Sequence, residues 1–154
     1  MAYSILAIAV AAAAQAATST SSPDHPLALT CEGSGSATKH SHGSINGDGW
    51  SASVTSQRDR EFSDQVDVRL FSGDDRIRMP RTMLPVIHGG ADGWFVLKNV
   101  VADARSIHAS AAVGLLNNPK VYIDRVTGTI SISGKSGDYS GQCQVIDANV
   151  APKF

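Results

Sequence analysis

Two groups of side chains in this chain combine types and spacings that could do chemistry. The first is His40-Ser41-His42. Residues two apart on an extended strand share a face, so both imidazoles can reach one ion, with Zn²⁺ the default metal for such a pair. A zinc-dependent hydrolase built on it needs a further ligand, and the spacing selects none of His25, His88, His108 and Asp48. The stretch around the pair is rich in Gly and Ser and reads as an exposed hairpin, where two histidines are ordinarily just solvated.

The second group surrounds residues 80–93 (PRTMLPVIHGGADG), the one long irregular connection in the chain. Long connections inside compact domains are disproportionately functional. Arg76, Arg78 and Arg81 lead into it, with His88, Asp92 and Trp94 at its far end. Guanidinium groups there would grip a carboxylate or phosphate while Trp94 supplies an apolar wall. The plainer and favoured reading is a solvated arginine face beside a core tryptophan. Other matches fail. Gly134-Lys135-Ser136 ends like a phosphate loop, but Thr129 stands where its first glycine belongs, and strands flank it. There is no G-x-S-x-G elbow, and Asp64/Asp67 and Asp74-Asp75 sit at turns or on wet strand faces. No catalytic residue is assigned, and a non-enzymatic role is favoured.

The elements that must carry these groups are strands. Val66, Val68 and Leu70 alternate with Asp67 and Arg69, and residues 76–79, 120–125 and 129–133 repeat the period of two. Residues 94–101 (WFVLKNVV) are almost continuously apolar, predicting a strand covered on both faces or running beneath a loop. Asn46-Gly47 and Asp48-Gly49 predict a hairpin folding residues 35–42 onto 50–57. Gly128 is expected in the left-handed position of a short hairpin, and residues 133–138 make another turn. A helical turn is allowed within 80–88 or 114–119. The whole predicts an all-β antiparallel meander of about eight strands, closed as a small barrel in preference to a β-sandwich.

Cys31 and Cys143 are the only cysteines and lie 112 positions apart. Leu27, Leu29 and Cys31 share one face of the first strand; Tyr139, Cys143 and Val145 share one face of the last. A disulfide between them would hold the two edge strands together and remove an exposed edge. Loop-closure entropy for a loop of that order is worth about 4.7 kcal/mol in the chain-entropy model. Two free buried thiols are the alternative.

Residues 1–16, with an apolar run over 5–14, no charged side chain and small residues at Ala14 and Ala16, resemble a secretory signal peptide; the run is short for a membrane span. The expected organisation is therefore signal 1–16, flexible leader 17–26, one barrel domain 27–148 and a tail 149–154. The destination is the periplasm or the exterior, where a disulfide persists. The chain has 154 residues, 42% hydrophobic, with 13 Lys+Arg against 14 Asp+Glu. That suits one globular domain, and the even charge argues against nucleic-acid or anionic-membrane binding driven by bulk charge.

LTCEGSG at 29–35, IDRVTGTISISG at 123–134 and YSGQC at 139–143 together resemble small exported, disulfide-linked all-β proteins of alphaproteobacteria, a group without an assigned activity. The resemblance spans most of the mature chain and implies export and architecture, not chemistry. A looser similarity to small periplasmic lysozyme inhibitors rests on architecture alone. The expectation is a monomeric exported binding or envelope protein. It would meet a small anionic ligand or an envelope partner through Arg76, Arg78, Arg81, His88 and Trp94, without a cofactor unless the histidine pair holds zinc.

Overall fold

A computed structural model describes residues 26–146. Residues 1–25, on which the expected signal peptide, most of the expected leader and His25 fall, and residues 147–154, with the expected tail, lie outside the described residues. Eight strands follow one another: β1 (Leu27–Gly47), β2 (Trp50–Leu70), β3 (Arg76–Arg78), β4 (Trp94–Ala102), β5 (Ser106–Ala111), β6 (Lys120–Asp124), β7 (Thr129–Gly134) and β8 (Gly137–Ile146). Each pairs antiparallel with its successor, and β8 returns to pair with β1, closing the ring. Among the described residues no helix is long and apolar enough to cross a membrane.

Alternation explains the core. One face of each strand turns inward, and Val66, Val68, Leu70, Ile77, Phe95, Ile107, Ile123, Ile130 and Ile132 fill the axis. Among the described residues the fully buried set contains no polar or charged residue apart from the Tyr139 hydroxyl. The connection after β3 contributes a single 3-10 turn, Arg81–Met83, and with it Met79 and Met83 are driven into the core. That turn falls within the span where the sequence allowed one. Residues 114–119 form no helical turn; Leu115 and Leu116 stand in solvent.

The β1–β8 seam is where the barrel closes. Cys31 lies directly opposite Cys143, their Cα atoms 3.9 Å apart, and the disulfide is formed. The Cys143 amide donates away from β1, to the Gly128 carbonyl at 2.7 Å. The cysteines therefore occupy a pair that exchanges no backbone bonds, the closer of the two antiparallel pair types. Above the disulfide the inward positions are Gly33, Gly35 and Gly141. A Cβ on Gly33 would strike the Ser140 carbonyl, and one on Gly141 would fall 2.9 Å from the Tyr139 hydroxyl. Gly33 and Gly35 let the β8 backbone come close, and Gly141 leaves space for the hydroxyl of Tyr139, whose side chain is 2% exposed and stacked near Phe62 at 6.3 Å between centroids. Its hydroxyl donates toward the carbonyls of Cys31 and Asp64, each at 3.0 Å, tying three adjacent strands together. Val145, expected inward with Cys143, is instead 72% exposed at the end of the seam.

Two further expectations are corrected. β4 is not covered on both faces. Phe95 and Leu97 point inward, then the register shifts between Lys98 and Val101, with Asn99 at φ 54°, so that Val100 and Ala102 take over the buried face. One extra residue in a strand flips the parity, which made an alternating strand look uniformly apolar. The expected 35–42/50–57 hairpin is present but belongs to far longer strands. β1 and β2 stay paired from Leu27↔Leu70 to Gly47↔Trp50, whereas β8 covers β1 only to Ala37 and β3 covers β2 only over Asp67–Arg69. The distal half is a two-stranded arm projecting from the barrel.

Candidate functional site

Register, not sequence proximity, assembles the arginine site. β3 is short and sits between β2 and β4, with Asp67 opposite Arg78 and Arg69 opposite Arg76 on one side, and Trp94 opposite Arg78 on the other. These side chains share the outer face of the barrel because Val68 and Ile77 take the inner one. Arg69 lies over the Trp94 ring, 4.6 Å from its centroid, a cation–π contact that the sequence reading did not anticipate. Trp94 is half-buried beneath it rather than part of the core.

Asp67 organises the centre of this face. Its carboxylate accepts from Thr30 Oγ1 at 3.0 Å and Gln65 Nε2 at 2.7 Å, and lies 3.6 Å from Arg78 Nη1. Arg78 is therefore held in place with part of its donor fork still open. Arg76 points toward the β2–β3 turn and pairs with Asp74.

Arg78 and Arg81 meet in one cleft of about 290 Å³, lined also by Asp64, Gln65, Met79, Asp92 and Gly93. The loop returns to it through the Met79 amide, which donates to the Gly93 carbonyl at 3.0 Å, with Asp92 and Gly93 both at positive φ. Two arginines and two aspartates line this cleft, which suits a polar ligand with an anionic group beside a donor-bearing one. Such a volume lies at the small end of ligand sites.

The five expected ligand residues thus divide. Arg78 and Arg81 come together with Trp94 alongside on the same face; Arg76 is engaged elsewhere. His88 stands apart, its ring edge-on to Phe95 at 5.7 Å between centroids and its Nδ1 2.7 Å from the Gly89 carbonyl. There it lines a different, apolar cleft with Ile87, Leu115 and Leu116. Sequence reasoning missed Gln65 and Arg69 on β2, and it set Asp64 and Asp67 aside as solvated carboxylates without placing them beside the arginines. Only strand register could have revealed them, since β2 lies some ten residues upstream.

His40 and His42 do share a face of the arm, both exposed, with His42 Nδ1 3.3 Å from Thr55 Oγ1. No third ligand joins them: among the described residues no three His, Cys, Asp or Glu side chains gather as a metal site. His108 lies on β5 against Tyr122, 4.8 Å between ring centroids.

Fold and site define a closed, disulfide-tied, eight-stranded antiparallel barrel with an apolar interior and its polar constellations on the outside. No protein-family model, curated protein or solved structure matches the chain.

Proposed function

We propose that this is an exported, non-catalytic binding protein of the periplasm or cell exterior, which grips an anionic group of a small ligand or envelope partner on its outer surface. The reading rests on the Arg78–Arg81 cleft: two cationic forks beside Trp94, with Asp67 orienting one of them. An interior occupied by apolar side chains leaves the outer surface as the place for polar recognition. The disulfide supports an oxidising destination, as do the leader pattern and the resemblance to exported alphaproteobacterial proteins.

The test is amide chemical-shift mapping with inorganic phosphate and with glutamate as probes. Saturable shifts confined to residues 64–69, 76–81 and 92–94 are expected, abolished in Arg78→Ala/Arg81→Ala with the thermal midpoint almost unchanged. Absence of saturable shifts with either probe, or shifts that survive the double substitution, would remove the assignment.

A further inference from the structure

The arm is a two-faced object. On the face that continues the barrel exterior, Thr38, His40, His42 and Ser44 stand opposite Asp59, Gln57, Thr55 and Ser53. These pairs satisfy one another across the strands, as in Thr38 Oγ1 to Asp59 at 2.8 Å and His42 to Thr55 at 3.3 Å. The opposite face continues the barrel interior and has nothing packed on it. At its tip Ile45, Trp50 and Val54 are 54%, 58% and 44% exposed, with the Trp50 indole lying across Gly47, where a Cβ would collide with it. Nearer the barrel the same face carries Lys39 directly opposite Arg58, with Arg60 one step below. None of these three cations forms an ion pair among the described residues. The nearby acids Asp59 and Glu61 point to the other face, so an even net charge hides a local separation of sign.

Such a structure is costly to leave alone. An isolated two-stranded ribbon is marginal in water, and like charges placed directly opposite destabilise it further. A second copy applied to the same face would bring two sets of cations together. The arrangement calls instead for an anionic surface with an apolar layer behind it. Apolar tip and basic collar follow in the order of acyl boundary and headgroups: Val54 is four residues from Arg58, roughly 13 Å, and Trp50 eight, roughly 26 Å, so a hairpin lying obliquely brings both to the interface. Tryptophan belongs at that boundary, and the long stems of Lys and Arg let their charges reach the phosphates.

We propose that the distal β1–β2 hairpin docks this protein peripherally on an anionic lipid surface, with Ile45, Trp50 and Val54 entering the headgroup–acyl boundary and Lys39, Arg58 and Arg60 contacting lipid phosphates. This is separate from the ligand cleft on β2–β4 and stands whether or not that cleft binds.

The experiment is co-sedimentation of the full chain with vesicles of phosphatidylcholine and phosphatidylglycerol mixed in equal parts, against phosphatidylcholine alone. Binding to the anionic vesicles only, weakened by salt and accompanied by a blue shift of tryptophan emission that Trp50→Ser removes, is the expected result. Each cation near such a surface is worth about fivefold in affinity, so Lys39→Ala/Arg58→Ala/Arg60→Ala should bind about a hundredfold more weakly. Lys39, Arg58 and Arg60 are all exposed, and the unfolding midpoint of each variant serves as a folding control. No binding to the anionic vesicles, or binding indifferent to both variants, would overturn the proposal. So would a dimer dispersed by Trp50→Ser, or arm-dependent retention on immobilised polyglutamate without vesicle binding, which would assign the arm to a second copy or to an acidic protein.

Discussion

Replacing Tyr139 by Phe removes one oxygen from the seam and should show how much closure depends on it. The hydroxyl is the single donor shared by the Cys31 and Asp64 carbonyls, and the ring is 2% exposed, so water cannot readily replace it. Both carbonyls keep their partners in the β1–β2 ladder, so the loss is that of one hydrogen bond, about 0.5–1.5 kcal/mol. With an m-value of about 2 kcal/mol/M, the urea midpoint should fall by roughly 0.5 M at neutral pH. The same group carries a pH signature. Burial first, then the negative charges of Asp64, Glu32 and Asp67, push the Tyr139 hydroxyl up from 10.0 to about 12. Below pH 10 both the folded and unfolded states hold the proton and the full stability is present. Above pH 10 the unfolded chain ionises while the folded one resists, so stability drains away up to the folded value, by about 2 kcal/mol at pH 12. Urea titrations of both proteins between pH 7 and 12 should show the tyrosine protein losing about that much stability relative to the phenylalanine variant as pH rises. A constant difference would refute the buried-donor account of the seam.

Cys31→Ser/Cys143→Ser should lose about 2–5 kcal/mol in the same assay while keeping its β circular dichroism; an unchanged midpoint would mean the ring closes without the bond. Gly33→Ala should cost about 1–3 kcal/mol because its Cβ meets the Ser140 backbone, whereas Gly114→Ala, with nothing within 4 Å, should stay within about 0.5 kcal/mol. Asp103 is held below its usual value of 3.8 mainly by the backbone N–H groups of Arg105 and Ser106, and Asp124 by those of Thr127 and Val126. Each therefore adds stability that is present above pH 3.8 and disappears as pH falls through the lower folded value. Carboxyl ¹³C titration should place both midpoints below 3.8, and a midpoint at or above it would contradict the turn geometry.

How much of this was legible follows from what each feature depends on. The alternation of Val66, Val68 and Leu70 against Asp67 and Arg69 is local and gave the strand and its wet face directly. Gly128 takes φ 70° at its expected turn, and the even pair of cysteines anticipated the joined edges. The length of β1 and β2 was hidden because Gly33, Ser34 and Gly35, and the charged run 58–64, look like loop. They are strand because the glycines admit the close approach of the β8 backbone and because β1 and β2 pair continuously into the arm. The bulge at Asn99 concealed the alternation of β4. The arginine site was half legible: Arg78 and Arg81 were named, but Asp67 and Arg69 enter through β2–β3 register, and neighbours three to a strand cannot be read from a linear order.

Hydrogen exchange resolved to single amides tests closure most directly, because the same β1 strand runs from the seam into the arm. In the oxidised protein at neutral pH, amides of residues 29–35 that bond β8 should exchange only through global unfolding, while those of residues 40–46 in the free arm exchange orders of magnitude faster. Seam amides exchanging as fast as those of the arm would contradict a closed barrel.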